Sequence, residues 1–218
     1  MQAVKEDIEK LFSQYSTAAI NGIEKIPQSG SDRIYFRVYC PAGSYIATYS
    51  KNIRENSTFI KFSRHFKLNG CPVPEIYAVN EEQTIYIQQD FGDTALLNEL
   101  EQQGHCEKVY ELFQKSLRTL ASLQINGERG LDYDWCITSR EFGKQAIMSD
   151  LTYFKYYFLD TLKTPYDKEK LIDDFEALST YLAHVDHKYF MFRDFQSRNI
   201  MVKDGEVHFI DFQGGMKG

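Results

Sequence analysis

The sequence predicts an α+β fold in two parts, a small antiparallel sheet followed by a block of helices. Residues 1–89 alternate short β-prone runs with turn residues around one embedded helix. After Asp90-Phe-Gly-Asp93 the pattern changes to long amphipathic stretches at helical spacing. Near the end, Asp204-Gly205 stands between two β-prone runs, a strong hairpin signal. At 218 residues the chain has room for one domain or two closely packed lobes. Its 43% hydrophobic and 26% charged residues exclude collagen, low-complexity disorder and a disulfide mini-scaffold.

The elements follow in order. Ile8, Leu11, Phe12 and Tyr15 recur at helical spacing and open the chain with a short helix. Ile34 to Tyr39 alternates Ile34, Phe36 and Val38 against Tyr35, Arg37 and Tyr39, so it reads as a strand. Pro41-Ala-Gly43 turns the chain into a returning strand, Ser44 to Tyr49. Glu55 to Asn69 carries Phe59, Phe62 and Phe66 on one helical face, with Gly70 as the stop. Two more strands are predicted over Glu75–Val79 and Thr84–Gln89. Beyond Asp93, Leu96, Leu97 and Leu100 begin a helix, and an apolar stripe predicts a long one over Val109–Leu123. Phe142 to Leu162 and Leu171 to Val185 read as two further helices. Ile200–Lys203 and Glu206–Ile210 form the hairpin around Asp204-Gly205. The division expected is residues 1–89, a connection at 90–93, and residues 94–218.

Charge and cysteine usage narrow the function classes. Twenty-five basic against 31 acidic residues give a net charge of −6, which excludes a basic nucleic-acid-binding domain. No apolar run reaches the ~18–20 residues of a membrane helix. The charged N-terminus lacks a signal-peptide stretch, and the four cysteines form no C-x-x-C pair. A cytoplasmic protein with reduced thiols, and no membrane or nucleic-acid partner, is therefore expected. His184-Val-Asp-His187 offers two imidazoles but no third ligand nearby, and it is assigned no function.

The chemistry concentrates in the last thirty residues. Asp194 and Asn199 are five apart, and Asp211 follows twelve later. Antiparallel pairing of the hairpin brings Asn199, at its entrance, close to Asp211, at its exit. One amide oxygen and one carboxylate can chelate Mg²⁺, which takes few protein ligands and completes its shell with phosphate oxygens. Asp194 on the adjoining loop can accept a proton from an attacking hydroxyl. This is the logic of a kinase catalytic loop, D-x-x-x-x-N, followed by a metal-binding D-F-G. The corresponding strings are Asp194-Phe-Gln-Ser-Arg-Asn199 and Asp211-Phe-Gln213.

With these strings the chain resembles the aminoglycoside phosphotransferase and choline kinase family, small-molecule kinases of bilobal protein-kinase-like fold. The likeness is most specific over Phe192–Asn199 and Asp211–Gly215. Arg193-Asp-Phe-Gln-Ser-Arg-Asn199, Arg33-Ile-Tyr-Phe-Arg37 and Gln89-Asp-Phe-Gly-Asp93 lean towards bacterial kinases of N-acetylmuramate and N-acetylglucosamine, which phosphorylate the anomeric hydroxyl. The resemblance implies an ATP-dependent phosphotransferase with Asp194 as catalytic base and Mg²⁺ on Asn199 and Asp211. It implies that Ser29, Gly30 and Ser31 lie over the nucleotide phosphates and that backbone from Gln89 to Phe91 meets the adenine. Arg33 and Arg37, on one strand face by alternation, are further phosphate contacts.

Departures from the family pattern shape the alternatives. Phe192 replaces the histidine of H-x-D, and Gln213 replaces the glycine of D-F-G. No lysine lies on Ser44–Tyr49, where kinases place the phosphate-binding lysine; Lys51, Arg33 and Arg37 are the substitutes, and Glu55 is a candidate helix partner, although a solvated first-turn glutamate is the preferred reading. Seven residues follow Asp211, where the resemblance implies further helices. A shortened form is therefore expected, with apolar faces of Val109–Leu123 and Ile200–Ile210 uncovered and with either self-association through the C-terminal half or marginal stability. The leading reading is a small-molecule kinase acting on a sugar or amino sugar. A catalytically impaired nucleotide-binding regulatory domain is the alternative, and an aminoglycoside kinase the second.

Overall fold

The computed structural model describes residues 1–27, 32–186 and 188–218. Strands β1 (Gly22–Lys25), β2 (Ile34–Cys40), β3 (Gly43–Tyr49), β4 (Ile76–Val79) and β5 (Ile85–Gln89) form one antiparallel sheet. Their order is β1-β2-β3-β5-β4. Alternation in β2 buries Phe36, Val38 and Cys40 and puts Tyr35, Arg37 and Tyr39 on the opposite face. Helix α1 (Gln2–Tyr15) brings Ile8, Leu11 and Phe12 against Phe36, Val38, Ala47, Ile85 and Ile87, which closes a first core.

Helix α2 (Ile53–Leu68) belongs to a second core. Its Phe59 stacks on Phe212 at 5.0 Å, and its Phe66 meets Phe190 edge-on at 4.8 Å. These rings join the sheet side to the helical side. Asn52 caps the helix by accepting from the Glu55 amide at 3.2 Å and donating to Glu55 Oε2 at 3.1 Å, which fixes the first turn.

The helical side contains α3 (Leu96–Gln103), α4 (Glu107–Ser122), α5 (Lys144–Phe154), α6 (Asp160–Leu162) and α7 (Lys168–Ala183). No helix among the described residues is long and apolar enough to cross a membrane. Two π turns depart from the predicted pattern. One, Leu123–Gly127, prolongs α4; the other, Lys155–Leu159, interrupts the helix predicted over Phe142–Leu162. Strand β1 was not predicted either, because four residues with a leading glycine carry too little alternation. The pair β6 (Phe190–Met191) and β9 (Met216–Lys217) brackets the segment that carries Asp194, Asn199 and Asp211. Strands β7 (Ile200–Lys203) and β8 (Glu206–Phe209) form the predicted hairpin. Asp204 and Gly205 both take positive φ, 54° and 75°, as a two-residue type I′ turn requires.

The expectation of uncovered faces on Val109–Leu123 and Ile200–Ile210 is corrected. Helix α4 packs against β8, so each covers the other: Val109 and Phe209 are fully buried, and Leu112, Ile200 and Val207 are buried with them. Leu117 of α4 stays exposed, and further exposed aromatic residues gather on α5, its π turn and α7. Tyr153, Tyr157 and Tyr181 stand out there at 63%, 68% and 77% exposed.

Close packing after Asp211 gives a sharp expectation. A Cβ on Gly215 would overlap the Phe190 ring and lie 3.0 Å from the Met191 carbonyl oxygen, whereas one on Gly214 would meet only Asp194 Oδ2 at 3.8 Å. Gly215→Ala should therefore cost about 1–3 kcal/mol of stability, the usual scale of overpacking. Gly214→Ala should melt near the wild type, and chemical denaturation of both variants checks the contrast.

Candidate active site

The segment between β6 and β7 is pinned from several sides. Phe192 is buried and meets Phe195, Phe209 and Phe212 edge-on, so the ring takes a packing role where the motif has histidine. Arg193 adopts φ 71°, an uncommon left-handed conformation for a non-glycine residue. Its guanidinium makes a two-pronged ion pair with Asp150 of α5, at 2.8 and 3.1 Å, and lies over the Phe142 ring. That pair holds the backbone from which Asp194 projects, and the Asp194 residue itself is exposed.

Asn199 is buried and ties the loop to the hairpin. Its Nδ2 donates to the Asp194 carbonyl oxygen at 3.0 Å, and its own carbonyl accepts from the Ile210 amide at 3.0 Å. One residue further, Asp211 takes φ 63° and leaves its side chain 42% exposed. The hairpin thus brings Asn199 and Asp211 together, and the Asp194 carboxylate lies beside Gly214.

Charged side chains link this centre to the sheet. Arg33, immediately before β2, is 3% exposed. Its Nη2 donates to Glu55 Oε1 at 2.7 Å and its Nη1 to Asp211 Oδ1 at 3.4 Å. Gln213 Nε2 donates to Asp211 Oδ1 at 2.7 Å and to Glu55 Oε1 at 3.4 Å. Lys51 is exposed.

Arg37 points elsewhere on the same strand face. Its Nε donates to Asp90 Oδ2 at 2.7 Å and its Nη1 to Asp93 Oδ2 at 2.8 Å. Asp90 also accepts from the Ser44 hydroxyl at 2.7 Å and the Gly92 amide at 2.8 Å. Burial works against its carboxylate charge, but Ser44, Gly92 and Arg37 outweigh that and hold its pKa below the ordinary value. Lys203 of β7 donates to the Asp90 carbonyl at 3.1 Å, and Phe91 stacks on His208 of β8 at 4.1 Å. The Gln89 amide donates to the Glu75 carbonyl at 2.9 Å. Ser29, Gly30 and Ser31 lie outside the described residues.

Sequence reasoning set Glu55 aside as solvated rather than as the cation's helix partner, and it missed three partners here: Gln213 as a bridge, Asp150 and Lys203. Only Glu55 left a trace, the Asn52-x-x-Glu55 capping pattern, and that pattern says where the helix starts rather than what the carboxylate meets.

Sheet, connection, helical side and hairpin-mounted acidic loop define a kinase-like fold. The chain belongs to the phosphotransferase enzyme family, whose model matches residues 22–218. Among solved structures it resembles a Ralstonia eutropha protein provisionally described as an aminoglycoside phosphotransferase, with TM-score 0.63 at 15% identity over 98% of this chain and 66% of that one. It is similar to aminoglycoside phosphotransferase APH(4)-Ia, with TM-score 0.63 at 16% identity over 99% and 72% of the two chains. It is also similar to the choline kinase LicA of Streptococcus pneumoniae, with TM-score 0.62 at 12% identity over 100% and 70%. The chain thus spans about two thirds of the first neighbour's length. No curated protein matches it in sequence.

The stacked His208 supplies a pH prediction. Burial, then the Lys67 charge, lowers its pKa below the ordinary 6.5; Lys203 adds to this, and Glu206 and Asp204 oppose it. The folded state therefore binds fewer protons than the unfolded one. Stability is full above about pH 6.5 and falls as pH drops from there towards the lowered folded value. Between pH 7.5 and 5.5 the wild-type Tm should decline, and His208→Phe, which keeps the stack on Phe91, should decline less.

Proposed function

We propose that this chain is an ATP-dependent phosphotransferase acting on a small-molecule hydroxyl. Residues 1–89 are its nucleotide lobe, 90–93 its hinge and 94–218 its catalytic lobe. The observation that carries this reading is the junction of Asp194, Asn199 and Asp211 at the hairpin mouth, locked by the Asn199–Asp194 and Ile210–Asn199 hydrogen bonds. Family membership supports it, and so do fold neighbours solved with ADP or AMP-PNP.

The donors fit a magnesium ion. Among the described residues no group of three or more His, Cys, Asp or Glu could hold a metal, so a cation here relies on fewer protein ligands plus phosphate oxygens. Asn199 spends its amide nitrogen on the Asp194 carbonyl, which leaves Oδ1 as its donor to a cation. Arg33 and Gln213 both approach Asp211 through Oδ1, which leaves Oδ2 for the same purpose. Bound there with nucleotide, magnesium neutralises charge on the phosphoryl oxygens.

The chain's own groups then position and deprotonate the acceptor. The acceptor oxygen forms a bond to the γ-phosphorus while the bond from that phosphorus to the β,γ-bridging oxygen breaks. The hydroxyl proton passes to the Asp194 carboxylate, and ADP leaves. Ser29, Gly30 and Ser31 meet the phosphates in this reading, and the backbone from Gln89 to Phe91 borders the adenine. Arg37 acts on that border from behind, through its ion pairs with Asp90 and Asp93.

For the acceptor we propose an amino sugar, N-acetylmuramate or N-acetylglucosamine, phosphorylated on its anomeric hydroxyl in the cytoplasm. The three strings that lean that way also hold the site together, through Arg33, Arg37, Asp90, Asp93 and Arg193. The second reading, an aminoglycoside acceptor, draws on a neighbour solved with hygromycin B. A screen of ATP consumption against amino sugars, aminoglycosides and choline separates them, and a C6-phosphorylated product or turnover of aminoglycosides alone would overturn the anomeric assignment. With the acceptor found, Asp194→Asn should lower kcat by about 10²–10⁴ and leave Mg·ATP binding unchanged. Asp211→Asn should weaken Mg·ATP binding itself, as calorimetric titration reads.

We further propose that the chain self-associates through α5, its π turn and α7, where Tyr153, Tyr157 and Tyr181 are each more than half exposed, since exposed apolar side chains that gather on one side favour cover by another chain. Sedimentation over rising concentration should show a growing dimer fraction, reduced in a Tyr157→Glu/Tyr181→Glu variant. A concentration-independent monomer contradicts this.

A further inference from the structure

We propose that Arg33 performs the phosphate-anchoring role that a third-strand lysine performs in kinases, with Glu55 as its positioning partner. This inference deepens the reading above and rests on it. In kinases the lysine pairs with a glutamate on the helix that follows the third strand, and that pair sets the lysine against the nucleotide phosphates. Here the helix after β3 is α2, and its first turn supplies Glu55. Strand β3 has no lysine. The cation at Glu55 is Arg33, at 2.7 Å, arriving from the start of β2.

Sheet register explains how a residue from another strand reaches this place. Ile34 pairs with Tyr49, so the residue before Ile34 leaves the sheet level with the end of β3.

The guanidinium is held for this task rather than by chance. Phe59 lies 5.7 Å beneath it, and Asn52 and Gln213 hold Glu55 from either side. Nη2 faces Glu55 while Nη1 is directed towards Asp211, the proposed metal ligand. A planar fork can keep the glutamate on one nitrogen and offer another to a phosphate oxygen, which a single ammonium does less well. The other substitutes are placed differently. Arg37 is committed to Asp90 and Asp93, and Lys51 is an exposed side chain beyond the end of β3. The regulatory alternative thereby loses one of its grounds, the missing strand lysine.

The test compares two probes, adenosine and Mg·AMP-PNP, by calorimetry on the full chain and on Arg33→Gln, Glu55→Gln and Lys51→Gln. Arg33→Gln should weaken Mg·AMP-PNP by about 10–100-fold, the worth of a charge-assisted contact, and leave adenosine within about twofold. Glu55→Gln should act in the same direction by about 3–10-fold. Lys51→Gln should move neither probe by more than about twofold. Equal loss of both probes in Arg33→Gln would mark a merely structural arginine and overturn the inference. Selective triphosphate loss in Lys51→Gln would overturn it too. Should Arg33→Gln fail to fold, Glu55→Gln decides: selective loss upholds the pair and parallel loss or no change rejects it. Wild-type chain that binds neither probe overturns the proposed function with it, whereas wild-type binding with an unaffected Arg33→Gln overturns the arginine's role alone.

Discussion

Arg33 is 3% exposed and meets carboxylates from two parts of the chain, Glu55 on α2 and Asp211 after β8. A charge buried this far costs several kcal/mol unless it is paired, and breaking such a pair from one side costs about 3–5 kcal/mol. The dependence runs both ways. Glu55 and Asp211 are like charges bridged by one Gln213 amide, and the guanidinium between them makes their approach tolerable. The same contact fixes the side of α2 that faces the hairpin. Below it, Phe59 stacks on Phe212, the residue after Asp211, so apolar and ionic contacts hold one backbone position together.

A second charge junction lies four residues along β2. At a rise of ~3.3 Å per residue, Arg37 stands about 13 Å from Arg33 on the same face. There it binds Asp90 and Asp93, and Lys203 of β7 closes the arrangement from the hairpin side. Two positions four residues apart therefore tie this strand to the rest of the chain, Arg33 to the loop after β8 and Arg37 to the β5–α3 connection.

Most of the fold was legible because its signals are local. Alternation in β2, the aromatic stripe of α2 and the Asp204-Gly205 turn each depend on neighbours within a few residues, and each formed as read. The π turns at Leu123–Gly127 and Lys155–Leu159 were not legible, because helical spacing in sequence does not register one inserted residue per turn. Site geometry divided along the same line. The approach of Asn199 to Asp211 was legible because a hairpin ties their spacing to their meeting. Alternation placed Arg33 and Arg37 on one face, but their partners lie as far as 178 residues away, and no local pattern distinguishes a carboxylate that will meet an arginine from one that will meet water. Glu55 was read as solvated for that reason. The burial of α4 against β8 was missed likewise, since an apolar stripe states what must be covered and not by what.

The central claim is that Arg33, Asn199 and Asp211 converge on one nucleotide-phosphate site with Asp194 at its open edge. A crystal structure of the chain with Mg²⁺ and AMP-PNP tests this most directly. The account predicts a phosphate oxygen within hydrogen-bond distance of the Arg33 guanidinium while Glu55 keeps its other nitrogen. It also predicts that Asn199 and Asp211 would hold the metal, and that the Asp194 carboxylate touches neither metal nor nucleotide. Phosphates bound away from Arg33, or a metal held without Asn199 and Asp211, would contradict it.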